Sequence, residues 1–155
     1  MTNPGRCEAD QTIGATSAGA DAATVERATA VGETLGLAFQ IRDDLFDYDG
    51  AASTGKPVGL DLQERKMTLP LIAALDRATA ADAKRVRAVV RKRTKSRAET
   101  AEVVRFVTER GGAAYARARM EALADEAAAG LAAFPPSPAR DALVGLCAYV
   151  VARKR

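Results

Sequence analysis

The chain has 155 residues, a formal net charge of +3, two cysteines and no histidine. That length suits one domain, or part of one, with a sizeable core. With no histidine and with Cys7 and Cys147 far apart, Ser/His/Asp chemistry and the common zinc spacings are excluded. Basic residues are dispersed rather than massed with aromatics, so no nucleic-acid partner is expected. No apolar run reaches the ~20 residues of a membrane span, and MTNPGRCEAD lacks signal-peptide character, so the expected location is cytoplasmic, with reduced thiols. Abundant alanine and scarce aromatics favour an all-α fold.

Residues 1–12 show no periodicity and contain Asn3, Pro4 and Gly5, which predicts an irregular N-terminus. After the small-residue stretch Ile13 to Ala20, Asp21 is placed to cap a long helix through Val25, Ala28, Val31 and Leu35. Gly32 and Gly36 share a face of that helix and imply close approach by a neighbour. The helix runs into GLAFQIRDDLFDY, where Gln40, Asp43, Asp44 and Asp47 share one stripe about 100° wide. Leu35, Leu37, Ala38, Phe39, Ile41, Leu45 and Phe46 fill the remaining arc, with Arg42 as its one charge. Burying so wide an apolar arc carries the carboxylates inward toward a cavity. There they repel one another and sit at the helix end whose dipole disfavours anions. Local rules broken together at one place mark a candidate functional site.

From Asp49 to Lys66 the chain has Gly50, Gly55, Pro57 and Gly59 and no apolar period, so a loop with at most one helical turn is expected. Lys56 and Lys66 bracket that loop; taken alone, they fit either a site or an ordinary solvated surface. A core helix follows from Thr68–Pro70 to about Ala78. Asp82 is placed to cap the next helix, whose basic face (Lys84, Arg85, Arg87, Arg91, Lys92 and Arg93) reads as solvated surface. Ser96 and Glu99 form a capping-box pattern, and Gly111-Gly112 ends that helix. The helix from about Ala113 to Ala133 has Tyr115, Ala118, Leu123, Ala127 and Leu131 as candidate core. Ser137-Pro138 opens a last amphipathic helix containing Cys147, expected to be a packed thiol, and ending near Arg153.

Clustered carboxylates without histidine or cysteine select a hard cation, and Mg²⁺ is commonly held by carboxylates with positions left for phosphate oxygens. Lysines beside such an ion complete a clamp for a polyphosphate. An apolar cavity next to it suits a lipid-like phosphate ester.

The string Phe39-Gln40-Ile41-Arg42-Asp43-Asp44-Leu45-Phe46-Asp47, then Gly55-Lys56-Pro57-Val58-Gly59-x-Asp61 and Lys66-Met67-Thr68-Leu69-Pro70-Leu71, resembles the second aspartate-rich region of trans-type polyprenyl diphosphate synthases. The resemblance implies the C-terminal half of an isoprenoid-synthase-type helical bundle. It implies Asp43, Asp44 and Asp47 as Mg²⁺ ligands, Lys56 and Lys66 as diphosphate contacts, and Gln40 beside the allylic substrate. The implied reaction is Mg²⁺-dependent condensation of isopentenyl diphosphate with an allylic diphosphate, and the full-length family implies a homodimer.

The family's first aspartate-rich motif, its arginine pair and its tunnel floor match nothing in these residues, and residues 1–12 depart from its pattern. The expectation is that residues 13–155 are the C-terminal half of one polyprenyl synthetase domain, a fragment inactive alone, with helix faces left exposed. The alternatives are a helical subunit that needs an N-terminal partner chain, and a non-enzymatic helical interaction module. Product chain length is not encoded in this part of the pattern.

Overall fold

The computed structural model describes residues 4–49 and 59–153, with side chains from residue 7 onward. Every element among them is helical: α1 (Pro4–Ser17), α2 (Ala22–Phe46), α3 (Leu60–Gln63), α4 (Leu69–Asp76), α5 (Ala80–Arg91), α6 (Arg97–Glu109), α7 (Gly112–Leu131) and α8 (Pro138–Ala152). The all-α expectation holds. The irregular N-terminus does not, because residues 4–12 belong to α1. Proline is tolerated in the first turn of a helix, where its missing N–H has no intrahelical partner anyway.

Two compact units divide the chain, one of Met1–Arg42 with Arg119–Lys154, the other of Asp43–Ala118. In the first, α2 buries Ala28, Val31, Leu35 and Ala38 at alternating spacings of three and four, which places them on one helical face. Arg42 continues that stripe, 5% exposed. Its guanidinium donates to the Arg153 carbonyl, one of the acceptors that the end of α8 leaves without an intrahelical donor. Asp21 caps α2 as expected, its Oδ1 accepting from the Thr24 N–H at 2.7 Å. The close approach expected at Gly32 is also present: a Cβ there would stand 2.7 Å from the Cys7 carbonyl oxygen on α1. Thr12 and Thr29 add a hydroxyl hydrogen bond of 2.7 Å between α1 and α2. Met120, Leu123, Ala127 and Leu131 of α7 and Cys147 and Val150 of α8 are buried. Burial raises the Cys147 thiol pKa above its ordinary value, as suits an inert packed thiol.

The second unit has a core of Tyr48, Leu62, Leu71, Ala74, Leu75, Ala83, Val86, Val90, Val103, Phe106 and Val107. Local chemistry explains its helix ends. Ser96 and Glu99 form the complete capping box, and Gly111, at φ +68°, takes the left-handed position after α6. Thr79, not Asp82, caps α5, its hydroxyl accepting from the Asp82 N–H at 3.2 Å. Asp82 instead sits in the first turn and pairs with Arg85 and Arg110. Tyr115 and Ala118, expected in the core, are exposed; the Arg77 guanidinium lies 4.6 Å above the Tyr115 ring centre. The basic face of α5 is exposed, as expected. Ile13 (63%), Leu60 (56%) and Tyr149 (54%) are the most exposed large apolar side chains among the described residues.

Candidate functional site

The acidic segment enters the second unit at Asp43. Asp43 and Asp44, both half-buried, occupy the last turn of α2, and Asp47 follows directly after its end. The chain leaves the helix in a tight turn, with the Tyr48 and Asp49 N–H groups both donating to the Leu45 carbonyl. That turn sends Tyr48 into the core, where its hydroxyl meets the Thr68 hydroxyl at 2.9 Å. Thr68 stands at the N-cap of α4 yet makes no side-chain cap, because its hydroxyl bonds Tyr48. Burial pushes the Tyr48 phenol well above its ordinary pKa; the Thr68 hydrogen bond opposes this, and the Asp47, Asp44 and Asp61 carboxylates reinforce it.

Asp47 is 2% exposed, and its Oδ2 accepts from the Asp61 backbone N–H at 2.5 Å. Asp61 lies in the first turn of α3, whose N-cap is Gly59, a residue with no side chain to offer. Asp47 thus satisfies an orphan donor of α3 from a distance and places a negative charge at the favourable end of that short helix. Gly59 is required where it stands: φ is +86°, and a Cβ would come within 2.3 Å of the Thr100 side chain. Lys66 closes the arrangement, pairing with Asp61 at 2.9 Å and Glu64 at 2.5 Å. Those pairs, Glu64 first, raise the Lys66 pKa above its ordinary value. Asp49 pairs with Arg117 of α7 at 2.7 Å.

The structure therefore links Asp47 to Asp61 and Asp61 to Lys66, and places Asp43 beside Asp44 in the last turn of α2. Gln40 sits one turn earlier on α2, within the first unit. Lys56 lies outside the described residues. Among the described residues, no three His, Cys, Asp or Glu side chains converge closely enough to hold an ion by themselves. Two adjacent carboxylates still suit Mg²⁺, which commonly takes one or two protein carboxylates and fills its shell with water and phosphate oxygens. Asp61 and Glu64 are the participants that reading the sequence for site residues did not select. Their signal was faint: an acid five residues before Lys66, where α3 turns back.

The all-helical chain has the helical fold of solved isoprenyl diphosphate synthases, as superposition shows. The chain belongs to the polyprenyl synthetase family, whose model matches residues 6–107. It is 38% identical over 125 residues to the octaprenyl diphosphate synthase of Escherichia coli, covering 80% of this chain and 38% of that protein. It is 35% identical over 142 residues to the nonaprenyl diphosphate synthase of Mycobacterium tuberculosis, covering 91% of this chain and 42% of that one. The chain thus spans about two fifths of the length of these curated relatives. Among solved structures, the geranylgeranyl pyrophosphate synthase of Bacteroides thetaiotaomicron superposes with a TM-score of 0.85 at 35% identity, covering 94% of this chain and 48% of that one. A polyprenyl synthase of Caulobacter crescentus, complexed with calcium and isoprenyl diphosphate, gives 0.83 at 34% identity over 96% of this chain and 45% of that one. No described helix is long and apolar enough to cross a membrane.

Proposed function

We propose that this chain supplies the second acidic region of a prenyltransferase that condenses isopentenyl diphosphate with an allylic diphosphate in a Mg²⁺-dependent reaction. The observation that carries the reading is the Asp47–Asp61–Lys66 linkage directly after the Asp43-Asp44 turn that ends α2, in a chain of this family. Asp43 and Asp44 hold the ion. Asp47 completes the acidic set while fixing the N-terminus of α3, and with it the approach of Lys66. When bound, Mg²⁺ supplies Lewis-acid stabilisation of charge on a departing diphosphate. Lys66 and Lys56 contribute point charges to the same oxygens, and neither serves as a base. Gln40 orients the allylic substrate from one turn earlier on α2.

The reading extends to the assembly. The chain supplies the C-terminal half of one synthetase domain, with the family match reaching back to residue 6, and acts together with the family's other motifs, in the cytoplasm and as part of a homodimer. A second reading, in which the acidic stretch is only a scaffold of a helical interaction module, draws support from the internal bonds of Asp47 and Lys66. One experiment separates them. The chain is fused behind the N-terminal half of a family synthase, and incorporation of labelled isopentenyl diphosphate into prenyl product is measured. Product that forms with the wild-type fusion and is lost with Asp44→Ala supports prenyl transfer; product that persists in the Asp44→Ala fusion contradicts it.

A further inference from the structure

The turn after α3 and one face of α5 border a half-open cavity of about 300 Å³ lined by Arg65, Met67, Arg87, Val90 and Arg91. Three of these five residues are guanidinium cations, and none is an acid. Several neighbouring cations pair with carboxylates: Lys66 with Asp61 and Glu64, Arg85 with Asp82 and Glu102, Lys92 with Glu99 and Arg110 with Asp82. Arg65, Arg87 and Arg91 make no ion pair among the described residues. Arg87 and Arg91 are four apart on α5, a like-charge spacing that weakens a helix. Arg65 holds φ at +61°, a left-handed position after α3 that usually falls to glycine or asparagine. Two local costs thus converge on one concavity, and such costs tend to persist where a function maintains them. Lys95, 7% exposed, lies near enough to Arg65 for the guanidinium to reinforce the lowering of its pKa that burial begins, with Glu99 opposing. The basin is strongly positive, and Val90 and the half-exposed Met67 give it an apolar floor.

We propose that this basin is an anion site separate from the acidic one, taking a phosphate or diphosphate group with its oxygens on Arg65, Arg87 and Arg91. Planar guanidinium forks match phosphate oxygens in pairs, which the ammonium of Lys84 on the same helix cannot do. The phosphate can arrive free or as the headgroup of an anionic lipid, whose hydrocarbon would meet Met67.

The test titrates inorganic diphosphate into the full chain by calorimetry, with chelator present so that the carboxylates hold no metal. Saturable binding is expected. Arg87→Ala/Arg91→Ala should weaken it by at least about tenfold, whereas Lys84→Ala/Arg93→Ala, which removes the same charge from outside the cavity, should change it by less than about twofold. Arg65→Gly relieves the left-handed position while deleting a ligand, so it should leave the melting temperature unchanged or raised and still weaken binding. In parallel, vesicles of phosphatidylcholine with and without phosphatidic acid are sedimented with the protein. Retention by the acidic vesicles alone, lost in the Arg87→Ala/Arg91→Ala variant and displaced by diphosphate, assigns the lipid source; calorimetric binding without retention assigns the free anion. Equal losses in the two double variants, or no binding in either assay, overturn the proposal.

Discussion

Gly112→Ala is expected to destabilise the protein although alanine is the better helix former. Gly112 opens α7, and a Cβ there would lie 2.1 Å from the Pro70 carbonyl oxygen, 2.9 Å from the Ala74 Cβ and 3.1 Å from the Ala74 nitrogen. A carbon packs against a carbonyl oxygen at about 3.3–3.6 Å. The start of α4 or of α7 must therefore move by roughly 1.2 Å or more, and the obstacle is backbone, which no rotamer change relieves. Overpacking of this kind costs about 1–3 kcal/mol, against a propensity gain of at most about 1 kcal/mol, less at a first helical position. At roughly 2–4 °C per kcal/mol for a chain of this size, the melting temperature by circular dichroism should fall by about 2–10 °C. Gly145→Ala is the matched control, because nothing lies within 4 Å of a Cβ at that point in α8; it should gain about 0.5–1 kcal/mol. Because Thr68 precedes Pro70 and carries the Tyr48 hydrogen bond, a displaced α4 should also loosen the segment bearing Lys66. If Gly112→Ala melts at or above wild type, the close packing of α4 on α7 is refuted.

Tyr48→Phe leaves the buried Thr68 hydroxyl without its partner and should cost about 1–2 kcal/mol in denaturant unfolding; no loss would show that the bond is not formed in solution. Asp47→Ala strips the acceptor from the Asp61 N–H and should speed amide exchange across α3, whereas Asp47→Asn, which keeps an acceptor oxygen, should restore protection. The Glu99 carboxyl is held down at about 2 by Lys92 and the Ser96 N–H. A depressed carboxylate contributes stability above its ordinary range and loses it as pH falls through the folded value. The stability gap between wild type and Glu99→Gln should therefore be full near neutrality and close between about pH 5 and 2; a gap independent of pH would contradict the ion pair and capping box.

What was legible in the sequence was whatever local chemistry decides. The caps at Asp21, Ser96 and Ser137 and the left-handed Gly111 each follow from a residue and its immediate neighbours, and each is in place. So does the buried stripe of α2, because its period is long and consistent. The misreadings came where a distant contact decides. α1 has a weak apolar pattern and a discouraging Pro4-Gly5 start, and the features that bind it to α2, the Thr12–Thr29 bond and the backbone contact at Gly32, are invisible locally. Thr79 and Asp82 are both good caps three residues apart, and their order along the helix, not their chemistry, settles which one acts. Tyr115 reads as core because it is an aromatic on a helix, yet its face serves Arg77 at the surface. At the site, the acidic residues are evident from their pattern, whereas the work of Asp61 depends on a bond from its N–H to Asp47, a partner distant in sequence.

The central claim is that Asp43 and Asp44 hold a divalent ion against a diphosphate. The most direct measurement is calorimetric titration of geranyl diphosphate into the chain with and without Mg²⁺, for wild type, Asp43→Ala and Asp44→Ala. The account predicts a Mg²⁺-dependent gain in affinity that either alanine reduces by more than about tenfold, with the Mg²⁺-free baseline unchanged. A Mg²⁺-dependent gain that survives in both variants would contradict it.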